Sequence, residues 1–165
     1  MPSATVSSED HAIRKALREF LRGGNAHATI ADAVKDFPAD QYGEKAAGSP
    51  HSAWQLLEHI RITLHDLLDF CRNPNYHALQ WPEKYWPKHD APANADAWSA
   101  SAKELQGDLD ELETLIADSS VDLTARIPWG KGQTILREIL LAGDHTSYHA
   151  GQLILLRKQL GIWNG

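Results

Sequence analysis

"TILREILLAGDHTSYHAGQLILLRKQLG", residues 134–161, decides the fold. A helix turns about 100° per residue, and that step gathers Ile135, Ala142, Leu153, Leu156 and Leu160 on one side. Thr134 stands where a cap is needed, and Gly161 stops the helix after about Leu160. A helix this long with a single apolar side has to bury that side against other elements. Two residues break the pattern. His145 and His149 fall inside the apolar cluster, roughly 40° apart on the wheel, and not on the wet face.

Three further helices are legible N-terminal to it. The first begins near Ser7, where "SSED" offers a capping serine with an acid three residues on. It carries Ile13, Leu17, Phe20 and Leu21 at helical spacing and stops at Gly23-Gly24. A short helical piece is expected around Thr29–Asp36. The second long helix starts either at Ser49, with Pro50 in the first position, or at Ser52, with Gln55 completing a capping box. Leu56, Ile60, Thr63, Leu67 and Phe70 form its apolar face, and "RNPN" at 72–75 ends it. The third repeats Trp98, Ala102, Leu105, Leu109, Leu112 and Ile116 by fours and threes, the seam of a bundle. No segment alternates as a strand does. These patterns predict an all-α four-helix bundle over residues 1–165, one domain with a full core and too short for two. Residues 72–95, rich in proline and aromatics, are longer than connections in compact domains usually are. They are expected to form a long crossover between the second and third helices.

Composition narrows the function classes. Apolar residues make up 42% and charged residues 23%, near the globular norm. A net charge of −6 without a lysine- and arginine-rich run argues against nucleic-acid or anionic-membrane partners. Cys71 is the only cysteine, so no intrachain disulfide forms, which suits a reducing cytoplasmic setting. The N-terminus lacks the apolar core of a signal peptide, and the longest apolar runs, such as "LILL" at 153–156, are too short to span a bilayer.

Nine histidines make position the deciding matter. On the second long helix, His59 lies at the edge of the apolar stripe, and His65 lies roughly 120° away, outside it. The bundle interior should therefore receive His59, His145 and His149 and exclude His65. Imidazoles at i and i+4, with a third from a facing helix, can bind one divalent ion and leave a coordination position open. Core histidines held by hydrogen bonds, to Glu138 or Tyr148 for instance, satisfy the same spacing. H-x-x-x-H alone does not separate the two.

At "HSAWQLLEHI" (51–60) and "LLAGDHTSYHAGQLILLRKQLGIW" (140–163) the chain resembles the DinB-like superfamily of four-helix-bundle proteins. "NPNYHALQWPEKYWP" (73–87) and "GGNAHATIADAVKDFP" (23–38) are similar to one branch of it, so the resemblance covers most of residues 10–163. The family's motif, a histidine after "LL-x" in helix two and H-x-x-x-H in helix four, falls on His59, His145 and His149. The resemblance implies an up-down-down-up bundle, a divalent metal on those three histidines and frequently a homodimer. It also implies a small-molecule reaction: family members include bacillithiol S-transferases, a mycothiol-dependent maleylpyruvate isomerase, and metal-dependent hydrolases or stress-induced proteins without an assigned reaction.

The expected function is activation of a thiol or water by the bound ion, as a thiol S-transferase or a hydrolase. Non-catalytic metal binding, a stress-response role and a metal-free helical interaction protein stand as alternatives. Zinc, nickel, iron and copper all suit imidazole ligands, and a low-molecular-weight thiol is the expected cosubstrate. Asp144, Glu58, Gln55 and Gln152 are candidates to orient the ligands, with surface ion pairs the plainer role for Asp144 and Glu58. Glu138 is a candidate general base, with a salt bridge to an arginine as its plainer role. Trp81, Tyr85 and Trp86 are expected to wall a pocket or cover the bundle end. His27 is read as a loop hydrogen bond or as lining the pocket mouth, His51 as part of the helix start, Cys71 as a structural thiol, and Trp54 as a dimer contact or packing under the loop after helix one.

Overall fold

The computed structural model of the chain describes residues 7–164. Its helices are α1 (Ser8–Arg22), α2 (Ile30–Val34), α3 (Ala53–Arg72), α4 (Ala95–Ala117) and α5 (Ile135–Gln159). No strand occurs among the described residues; one isolated antiparallel bridge joins Arg126 to Thr134. None of the described helices is long and apolar enough to cross a membrane.

Local chemistry sets each start. Ser7 accepts from the Asp10 backbone N–H at 3.1 Å, and Thr29 and Asp32 form a reciprocal capping box that closes the five-residue α2. At α3 the choice falls on Ser52, not Ser49: Ser52 Oγ accepts from the Gln55 N–H, and Gln55 Oε1 accepts from the Ser52 N–H at 3.1 Å. Asn94 caps α4, which therefore begins about one turn before Trp98, and Thr134 caps α5.

Side-chain pairs give the helix directions. Arg14 reaches the carbonyls of Ile116 and Asp118 at the end of α4, whereas Arg22 meets Glu113, so α1 and α4 run antiparallel. Glu58 meets Ser101, Arg61 meets Glu104, His65 meets Asp108 and Arg72 meets Glu111, so α3 and α4 advance in step. Trp129, just before α5, donates to the Phe70 carbonyl near the end of α3, while His59 nearer its start meets His145 and His149. These two helices are antiparallel. The bundle is thus up-down-down-up. Two parallel neighbours force the chain to return along the bundle between them, and α3 is about 30 Å long at 1.5 Å per residue. The 73–94 crossover exists for that reason.

The core lies chiefly between α3, α4 and α5. Besides the expected Leu56, Ile60 and Leu67, α3 buries Leu57, Leu64, Leu68 and Cys71. It touches α4 on one side and α5 on another, so a single stripe does not suffice. Trp54 is half-buried against this core, and its backbone N–H donates to the Tyr42 carbonyl in the segment between α2 and α3. Two buried arginines close helix ends: Arg14 caps α4, and Arg157 Nη1 donates to the carbonyls of Asp32, Ala33 and Lys35 around the end of α2.

Candidate metal centre

His59 projects from the first half of α3, and His145 and His149 from one face of α5, opposite it. The antiparallel pairing of these helices makes the three rings meet. Ring centroids are 4.8 Å apart for His59–His145, 4.7 Å for His59–His149 and 4.5 Å for His145–His149. One nitrogen from each ring lies within 4.8 Å of the others, the only group of three or more potential metal ligands among the described residues. His65, by contrast, is exposed and faces Asp108.

The neighbours of the rings decide their protons. His59 Nδ1 lies 2.9 Å from the Tyr85 carbonyl oxygen, which can only accept, so Nδ1 carries the hydrogen and Nε2 is left with a lone pair. His149 Nδ1 lies 2.6 Å from Gln152 Oε1, with the same consequence. His145 Nε2 stands 3.0 Å from His59 Nε2. Two lone pairs at that distance repel unless a proton or a cation lies between them. Burial pushes His59 down to about 4 and His145 down to about 3, and lowers His149. All three rings are therefore neutral near pH 7, the form that binds metals. The donor set fits a divalent ion. It also fits a hydrogen bond from His145 to His59, and the geometry is compatible with both.

The three rings form the floor of an open cleft of about 410 Å³, walled by Thr63, Leu141, Tyr148 and, from the crossover, Trp81, Tyr85 and Trp86. Trp86 stacks on His59 at 3.8 Å and 8°, and its other face stacks on His51 at 3.8 Å and 13°. The crossover is itself pinned to α3 by Asp66, whose two oxygens accept from Tyr76 at 3.0 Å and Tyr85 at 2.6 Å. It thus holds His59 by its face through Trp86 and by its edge through the Tyr85 carbonyl.

Of the expected orienting residues, only Gln152 touches a ring. Glu58 is paired with Arg61 and accepts from Ser101; Gln55 serves the α3 cap; Asp144 is exposed. Glu138 is buried and paired with Arg137 at 2.8 Å, and it does not line the histidine cleft. Neither Glu138 nor Tyr148 hydrogen-bonds to a histidine: Tyr148 meets His149 edge-on at 4.9 Å. His27 bonds locally to the Ala28 carbonyl at 2.9 Å. Cys71 is buried, which raises its thiol to about 12 and leaves it unreactive. Sequence reasoning missed the Tyr85 carbonyl, since a backbone group carries no residue-type signal, and the role of His51 as the outer layer of a stack.

The chain matches the DinB superfamily over residues 24–153. Comparison with curated proteins gives no match. Because the family match spans well over half of the sequence and includes all three histidines, the chain belongs to the DinB superfamily.

Proposed function

We propose that the protein is an enzyme that activates a thiol or water at a divalent ion held by His59, His145 and His149, acting as a thiol S-transferase or a hydrolase on a small molecule. The observation that carries this reading is the convergence of three neutral imidazoles at the floor of a cleft open to solvent. A stabilising metal needs no such access, and structural sites are usually closed by four protein ligands. The chemistry such an ion supplies is to make a bound thiol or water acidic enough to be a nucleophile near neutral pH. The chain's own residues do the rest. Tyr85 and Gln152 keep Nε2 of His59 and His149 unprotonated. Trp86 and Leu141 line the site beside the rings, and Trp81 and Tyr148, exposed at 67% and 64%, offer aromatic surface for an apolar electrophile. Zinc, nickel or iron as the ion, a low-molecular-weight thiol as cosubstrate, a homodimer, a single domain over residues 1–165 and a cytoplasmic setting belong to the same proposal.

One observation favours a metal-free alternative: the 3.0 Å contact between His59 and His145 is a normal hydrogen-bond distance. Elemental analysis of purified protein beside its His59→Ala variant separates the two. Stoichiometric metal lost in the variant supports the site, and no metal in either refutes it. Turnover of thiol plus electrophile, set against ester and amide substrates and abolished in His145→Ala without loss of fold, identifies the reaction class. No turnover with any of them by the metal-loaded protein counts against an enzyme.

A further inference from the structure

We propose that a second chamber, between α3, the crossover and the loop before α5, is a small-molecule site for a primary organic ammonium ion. Its volume is about 460 Å³, within the roughly 300–1,000 Å³ range of ligand pockets. Phe70, Tyr76 and Trp129 give it aromatic walls: the Phe70 and Tyr76 rings lie 5.0 Å apart, and the Trp129 indole is fixed by its bond to the Phe70 carbonyl at 2.8 Å.

Two carboxylates face this space from different helices. Glu138 is only 1% exposed, yet it lines the chamber. Arg137 engages its Oε1 at 2.8 Å, and Oε2 receives no hydrogen bond among the described residues. Asp66 accepts from Tyr76 and Tyr85 and has no lysine or arginine partner within ion-pair distance among the described residues. The cations of the chamber, Arg137 and Lys131, are exposed at its rim. Asp66 is thus left as the carboxylate without a cationic partner among aromatic walls, while Arg137 reaches Glu138 from the rim.

The second oxygen of Glu138 has no protein donor among the described residues, and an ammonium group supplies both a donor and the opposite charge. Aromatic faces attract the same cation through their quadrupoles. A metal ion fits less well, because Asp66 and Glu138 find no third ligand: the only group able to hold one among the described residues is the histidine cluster. An anion is repelled by the interior carboxylates. Leu141 forms a wall of both cavities, so a ligand here lies beside the histidine cleft without entering it. The inference does not depend on the metal proposal.

Calorimetric titration of the purified full-length protein with benzylamine, benzyl alcohol and benzoate tests it. Benzylamine should saturate a single site at least tenfold more tightly than benzyl alcohol, and benzoate should not bind. Glu138→Gln should weaken benzylamine at least tenfold, and Ala78→Trp, which places bulk at the exposed rim, should abolish its binding. His145→Ala should leave it unchanged. Equal binding of amine and alcohol, or no saturation, overturns the proposal; so does wild-type affinity in either chamber variant. Loss of binding in His145→Ala overturns it too, by placing the amine in the histidine cleft. If Glu138→Gln fails to fold, the amine-to-alcohol ratio and Ala78→Trp decide.

Discussion

Replacing Gln152 by leucine tests the proposed metal centre without touching a proposed ligand. Gln152 is half-buried one turn beyond His149, and its Oε1 is the only group among the described residues that is hydrogen-bonded to that ring, at 2.6 Å. Leucine keeps the side-chain bulk and removes the acceptor. The His149 ring then has two choices. It can keep its proton on Nδ1, leaving a donor unsatisfied at a cost of about 1–3 kcal/mol. Or it can move the proton to Nε2 and lose the lone pair that would face the metal. Either way binding weakens. Losses from such orienting partners run at about 10–100-fold in metal affinity, or about 1.4–2.7 kcal/mol. Zinc affinity measured by competition with a chelator near neutral pH is the assay, with circular dichroism to show unchanged helix content. Gln152→Glu, which supplies a stronger acceptor, should bind at least as tightly as the parent protein. Affinity of the leucine variant within about twofold of wild type would refute the reasoning, because His149 would then not depend on its neighbour to act as a ligand.

Asp66→Asn should loosen the crossover and lower zinc affinity several-fold through Tyr85 and Trp86, read by the same competition; no change would mean that the crossover does not position His59. His65→Ala should retain full metal content by elemental analysis, since that ring faces Asp108 and not the cluster. Arg14→Met should destabilise the fold by about 3 kcal/mol or more in urea unfolding, because it removes three bonds of 2.7, 3.0 and 2.7 Å to the carbonyls of Ile116, Asp118 and Val121. The metal-free protein should lose stability as pH falls. The unfolded imidazoles protonate near 6.5, whereas folded His59 and His145 resist until about 4 and about 3, so their contribution is complete above 6.5 and disappears on descent toward those values. Unfolding free energies between pH 7 and 5, compared with a His59→Gln variant of flatter slope, check the sign.

Helices are local enough to be read in one dimension. Ser7, Ser52 and Thr134 cap where capping chemistry expects them, and the apolar period of residues 98–116 and 135–160 returns as buried or half-buried surface. The wheel also separated His59, His145 and His149 from His65, because facing inward is a property of a single helix. The second buried stripe of α3 was not legible in the same way: Leu57, Leu64 and Leu68 become core only because α4 and α5 flank that helix on two sides.

What lies between the helices was decided by tertiary structure alone. Parallel packing of α3 and α4 sends residues 73–94 back along the bundle, and only that path brings the Tyr85 carbonyl and the Trp86 ring to His59. Glu138 shares the histidine side of the wheel, yet it lies with Arg137 on a different cavity, because two turns of helix carry it along the axis and away from the rings. A helical wheel records angle and discards height and partner. Inward direction was therefore encoded in the sequence, whereas the meeting of three rings, their tautomers and the open space above them arise from contacts between segments far apart in the chain.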